Sequence, residues 1–172
     1  MKKLLICTYC LFIGLGVMAG NIKVKNGTPN FVKENVCAII SFDFTNTRWE
    51  DRDSFREWSG KDYETRVEVA SKNFVISFNE NTKGLKLIES KDDAKYTIVF
   101  VVDNLERHQA FTGMWGQGKI SVTGTITVID ISTNTTVCSM LIDGYGASKD
   151  YVITDAIGKC FKSLGKEITK IK

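Results

Sequence analysis

Between residues 120 and 128, Ile120, Val122, Ile126 and Val128 alternate with Ser121, Thr123, Thr125 and Thr127. Successive side chains of an extended strand point to opposite faces, so this run is a strand with one face in an apolar core and the other wet. Such a strand needs sheet neighbours and a second layer over its apolar face. The chain supplies both. Over 36–45, Val36, Ala38, Ile40, Phe42 and Phe44 share one parity, against Ser41, Asp43 and Thr45. A short strand is expected at 85–88. After a turn at Asp92-Asp93, Tyr96, Ile98, Phe100 and Val102 alternate with Thr97, Val99, Val101 and Asp103. Both faces of that strand are largely apolar, which places it centrally in the sheet. Cys138, Met140 and Ile142 share a face within 136–144, and the turn Ser132-Thr133-Asn134-Thr135 joins this strand to 120–128 as a β-hairpin.

The covering layer has a different period. Tyr63, Val67, Ala70, Phe74 and Phe78 recur at three and four residues, predicting a helix over 62–79 that ends at Asn79-Glu80-Asn81 and Gly84. Ile153, Ile157, Cys160, Leu164, Ile168 and Ile171 predict a second over 150–170, with Thr154 or Asp150 as its amino-terminal cap. The expected fold is α+β: a two-layer α/β sandwich over 36–172, with one mixed or mainly antiparallel sheet and two helices on one face.

The amino terminus carries an address. Lys2 and Lys3 precede an uncharged run from Leu4 to Val17, and Ala19 closes it. This reads as a signal peptide over 1–19, cleaved before Gly20. Taken to Gly20, the uncharged run is at the short limit of the roughly 17–25 residues that cross a bilayer, and Gly14, Gly16 and Gly20 interrupt it, so no stable membrane span is expected after cleavage. Cys7 follows bulky Ile6, a poor context for lipidation, and with Cys10 is read as part of the apolar run. Residues 20–35 hold the only proline, Pro29, with Gly27, Asn21, Asn26 and Asn30, and are read as a tether. The expected localisation is periplasmic or extracellular.

What remains is the size of one ordinary domain. The net charge of +3 falls to about +1 without Lys2 and Lys3, and basic residues are interspersed with acidic ones, so no nucleic-acid partner is implied. Cys37, Cys138 and Cys160 are too few and too irregular for a disulfide framework, though they leave room for one bridge, and no paired knuckle for zinc is present.

Several motifs fail on context. Gly113-Met114-Trp115-Gly116-Gln117-Gly118-Lys119 matches a phosphate loop as far as its lysine, but Ile120 stands where a magnesium-binding hydroxyl belongs, and a strand follows where a helix is needed. No cofactor is expected. His108, the only histidine, lies beside Arg107 in a polar strand end, with no nucleophile elbow in the chain. Glu50, Asp51, Asp53 and Glu57 could serve calcium or a paired-carboxylate hydrolase, yet Arg52 and Arg56 compete for them and calcium-loop spacing is absent. No catalytic or metal residue is assigned. Trp49, Phe55 and Trp58 lie within ten residues of polar loop. They either plug into the domain or form an exposed stacking patch, and with Trp115 they are the candidates for binding. The row Ser121, Thr123, Thr125 and Thr127 is read as a solvated sheet face, although a free edge there would accept an added strand.

Asp93-Ala94-Lys95-Tyr96-Thr97-Ile98-Val99-Phe100, followed by Gly124-Thr125-Ile126-Thr127-Val128-Ile129-Asp130-Ile131-Ser132-Thr133 and a terminal helix, resembles exported bacterial envelope proteins. The similarity is to the amino-terminal domain of the TolB translocation protein and to the curli-secretion and penicillin-binding-protein-activator lipoproteins. Lys95 stands where those groups carry an acidic residue, and Asn134 where they carry a turn glycine. The resemblance implies a non-catalytic protein-interaction domain of the envelope, with an envelope protein or glycan as partner, and transfers no site residue. Two alternatives stand beside it: a carbohydrate-binding module using Trp49, Trp58 and Trp115, and a carboxylate-dependent glycan hydrolase.

Overall fold

The computed structural model describes residues 22–109 and 118–171. The expected signal peptide and the turn with Trp115 lie outside the described residues. The strands are β1 (Ile22–Gly27), β2 (Cys37–Asp43), β3 (Arg48–Trp49), β4 (Asp53–Ser54), β5 (Lys86–Leu87), β6 (Ala94–Gln109), β7 (Gly118–Asp130) and β8 (Thr135–Asp150). The helices are α1 (Phe55–Ser59), α2 (Tyr63–Asn81) and α3 (Ile153–Ile168). The strands form one sheet in the order β1-β8-β7-β6-β2-β5, and the short hairpin β3-β4 continues alongside β6 beyond the end of β2. The β2 strand runs parallel to β5 and β6; β6, β7, β8 and β1 are mutually antiparallel. This is the mixed sheet the sequence predicted, with β6 central.

The strand register explains the core. Phe42 lies opposite Phe100, Phe100 opposite Ile126, Ile126 opposite Met140, and Met140 opposite Val24. One residue pair away, Ile40, Ile98, Val128 and Cys138 form a parallel row. These rows face the helices: Phe74 of α2 and Phe161 of α3 meet Phe42 with ring centroids 5.4 and 6.4 Å away. The two long helices pack on one face as expected, closely enough that a Cβ added at Gly165 would lie 2.5 Å from the carbonyl oxygen of Phe74. The opposite face carries no covering element among the described residues, and its Thr97, Val99, Val101, Thr125 and Thr127 are half-buried between sheet neighbours.

Residues 20–35 are not a tether in their described part. β1 adds to the outer edge of β8, and Pro29 opens a short 3₁₀ turn, Pro29–Lys33, instead of a mobile arm. Its fixed φ suits the first position of a helical turn. Phe31 and Val32 are 1% and 4% exposed, and Phe31 meets Tyr96 edge-on with centroids 6.4 Å apart. Glu34 then accepts hydrogen bonds from Tyr96 Oη at 2.9 and 2.8 Å and from Lys95 Nζ at 2.6 Å. Lys95, the residue at which the resemblance departs from its pattern, therefore has an acidic partner of its own. That ion pair holds the Glu34 carboxyl below the usual range and pushes Lys95 up.

The cap of the last helix also differs from expectation. Val152 occupies the amino-terminal cap of α3 and gives no side-chain bond. Asp150 instead accepts from the backbone N–H groups of Tyr151 and Val152, just ahead of the helix, and pairs with Lys159.

Candidate functional site

The aromatic loop is built against the end of β6. Glu50 and Asp51 have φ of 56° and 58°, and this left-handed pair turns the β3-β4 hairpin. The turn is pinned because Glu50 N–H donates to Leu105 O at 2.8 Å and Asp51 N–H to Asn104 Oδ1 at 3.1 Å. Thr47 Oγ1 donates to Val102 O at 2.6 Å. Trp49 and Phe55 are thereby driven into the core, 4% and 0% exposed. Trp58 is half-buried, with Trp49 stacked on it at 3.7 Å and the Arg66 guanidinium 4.6 Å from its ring. A sugar needs an open ring face, and the Trp58 ring already carries Trp49 stacked on it and the Arg66 guanidinium over it. Of the four binding candidates, three join the domain as packing residues, and Trp115 lies outside the described residues.

The carboxylates of the same loop stay at the surface. Glu50, Asp51, Asp53 and Glu57 are exposed, and among the described residues no group of three or more metal-ligating side chains converges. His108 is better connected than its polar setting suggested: its Nε2 lies 2.8 Å from Ser121 Oγ and 3.7 Å from Glu106 Oε2. A relay from carboxylate through imidazole to hydroxyl needs the two partners on different ring nitrogens. Here both meet the same one, so the trio is a cross-strand polar contact. Of the hydroxyl row, Ser121 is buried, while Thr123, Thr125 and Thr127 are half-buried. Among the described residues Cys37, Cys138 and Cys160 form no disulfide with one another; burial pushes the Cys138 thiol up, and Cys160 Sγ donates to Tyr145 O at 3.5 Å.

The feature with room for a partner is the edge of β2. β5 covers β2 only at Cys37 and Ala38, through Lys86 N–H to Val36 O and Ile88 N–H to Ala38 O, each 2.9 Å. In a parallel ladder one strand uses alternate residues toward each neighbour. Continuing that alternation turns the N–H and C=O groups of Ile40 and Phe42 outward, where no strand lies beside them among the described residues. The adjoining stretch is sealed in a different way. The Asn79 side chain, projecting from α2, donates to Leu87 O and accepts from Leu87 N–H, both at 2.8 Å, closing the outer edge of β5. Between the open edge and α2 runs a groove of about 900 Å³, lined by Ile39, Ile40, Phe42, Val75 and Ile76, with Lys72 and Glu89 among its charged residues. Ile76 is 42% exposed. At the far end of the edge, Asp43 accepts from Thr45 N–H at 2.8 Å, and its bonds to Thr45 hold its carboxyl below the usual range.

Sequence reading missed this site, although one signal pointed to it. A strand of four residues at 85–88 cannot cover one of ten at 36–45. Fold and edge together define an α+β protein with a single sheet, two long helices on one face and, among the described residues, an unsealed stretch of edge at β2 beside a groove. No family model matches the chain, and no curated protein matches it. Among solved structures it is similar to the PelC dodecamer from Paraburkholderia phytofirmans, at 13% identity and a TM-score of 0.46, over 87% of this chain and 97% of that one. Protein XCC0632 from Xanthomonas campestris, of the DUF330 family model, is 11% identical with a TM-score of 0.45, covering 83% and 88%. A putative neuraminyllactose-binding hemagglutinin homolog from Helicobacter pylori is 12% identical with a TM-score of 0.42, covering 85% and 87%. The expected likeness to TolB and to the two lipoprotein groups is not shown by these comparisons. Likenesses of this size leave the role of the chain to its own geometry.

Proposed function

We propose that this chain is a non-catalytic, exported protein-interaction module of the bacterial cell envelope, and that it engages its partner by strand addition at the open edge of β2. Export is supported by Lys2, Lys3, the uncharged run after them and Ala19. Binding is carried by one observation: the outward backbone groups of Ile40 and Phe42 border an apolar groove, while the edge beside them is closed by Asn79. An incoming extended segment gains main-chain hydrogen bonds from the edge and places alternate side chains in the groove. Soluble proteins normally blunt such edges, so an edge left open next to a sealed one is a docking feature.

Selection of peptides from a random library, followed by amide hydrogen exchange on the complex, tests this. Selected peptides should be extended, with apolar residues at alternate positions, and binding should slow exchange at Ile40 and Phe42. Protection confined to the β3-β4 loop or to β1, or the recovery of no binding peptide, would refute the assignment.

A further inference from the structure

The opposite edge of the same sheet supplies a strand that fits this slot. Resting on the strand-acceptor reading above, we infer that the groove beside β2 takes β1 of a second copy of this chain, joining copies head to tail through one continuous sheet.

Length agrees first. The open stretch Ile40 to Asp43 is four residues, about 13 Å of strand. The β1 strand pairs regularly with β8 from Ile22 to Val24 and shifts register between Val24 and Asn26, so its straight part is about 10 Å long and fits within that stretch. The faces agree as well. Val24 lies in the row of Met140, Ile126 and Phe100, on the helix side of the sheet, and is 39% exposed, with no strand beyond it among the described residues. In a sheet continued from one copy into the next with both helix layers on one side, Val24 arrives on the side of Ile40, Phe42 and Ile76. The described residues contain four exposed large hydrophobics, Val24, Ile76, Tyr151 and Val152, and the first two mark the two ends of this single sheet.

Charge follows the same parity. Lys23 projects on the opposite side of β1, where it pairs with Asp143 at 3.1 Å, and that is the side of the acceptor edge that carries Ser41 and the Asp43 carboxylate. The donor is already extended and hydrogen-bonded along its inner side to β8, so it loses little freedom on docking, whereas a disordered peptide must first be ordered. A contact of one short strand and a few side chains belongs to the small interface class, with affinity in the micromolar range or weaker. Donor and acceptor surfaces differ, so the contact is heterologous and generates a ring or an open chain of copies.

The test uses the chain as the cell processes it, in sedimentation and light scattering over a concentration series. The wild type should grow in mass with concentration. Val24→Lys, which spoils the donor strand, and Ile76→Lys, which spoils the acceptor groove, should each be monomeric while keeping the wild-type circular dichroism and melting temperature. Both sites are surface positions. Mixing the two variants is the decisive step, because each retains the half the other lacks: the mixture should form a one-to-one pair and nothing larger. A wild type that stays monomeric throughout, or variants that do not pair when mixed, would overturn the inference. A labelled peptide spanning residues 20–27 added to Val24→Lys separates the two claims. If selected peptides bind that variant and this one does not, the edge is an acceptor for another protein and only the second copy is excluded.

Discussion

Replacing Phe31 by alanine measures whether the segment ahead of β2 is part of the domain. The ring is 1% exposed, packed edge-on against Tyr96. An aromatic side chain buries about 150–250 Å². At about 25 cal/mol per Å² that is worth about 4–6 kcal/mol. Measured Phe→Ala changes in cores run to about 3–5 kcal/mol, because the surroundings relax in part. Against a total stability of about 5–15 kcal/mol this is a major loss. For a chain of this size each kcal/mol moves the melting temperature by about 2–4 °C, so Phe31→Ala should melt about 6–20 °C below wild type. Urea titration followed by circular dichroism should show a lower midpoint at an unchanged slope, with Tyr151→Ala, at a site 62% exposed, as the neutral reference. A loss for Phe31→Ala below about 0.5 kcal/mol, the size of an ordinary surface change, would mean that the segment is a tether after all.

The ion pair behind that ring gives a pH signature. The folded pKa of Glu34 is lowered, chiefly by its hydrogen bond from Lys95, so its contribution is present above the ordinary glutamate value and lost as pH falls through the lowered one. Lys95 is raised by the same bond, so its contribution is present below the ordinary lysine value and lost as pH rises through the raised one. The melting-temperature gap between wild type and Lys95→Met should therefore be widest between these limits and close at both ends; a gap independent of pH would refute the coupling. Gly165→Ala should destabilise by about 1–3 kcal/mol in thermal melts despite alanine's better helix propensity, because the overlap falls on the Phe74 backbone, which cannot rotate away. Toward a thiol reagent, Cys138 and Cys160 should stay silent in the native state and react on unfolding, whereas half-buried Cys37 should react first; equal native rates at all three would contradict the core described above.

The sandwich was legible because each long strand has a single task. Ile120 to Val128 alternates cleanly since β7 has one face against the helices, and in β6 the same parity marks Tyr96, Ile98, Phe100 and Val102 as the buried, helix-facing side. Segments whose role depends on distant partners were hidden. The β1 strand, Ile-Lys-Val-Lys-Asn-Gly, alternates too, but it is short and polar and takes its strand character from hydrogen bonds to β8. Phe31 and Val32 are an isolated apolar pair without a period. The aromatic loop left plugging and exposure both open, because the choice rests on the left-handed turn at Glu50 and Asp51 and on its anchors Asn104 and Leu105, some fifty residues away. The open edge was invisible for a plainer reason. An unpaired backbone group leaves no mark on residue identity, and only the mismatch in strand lengths betrays it.

Asn79 bonds both backbone groups of Leu87, tying the last turns of α2 to β5. Asn79 and Leu87 both line the groove where α2 meets β5, so this carboxamide helps to set its width at that end. In heredity this makes the gap a property of a single codon. Aspartate at this position would keep the acceptor and lose the donor, loosening one bank; leucine would lose both and expose a second length of edge. A lineage could thus change what this surface admits through a single residue of the groove's own lining.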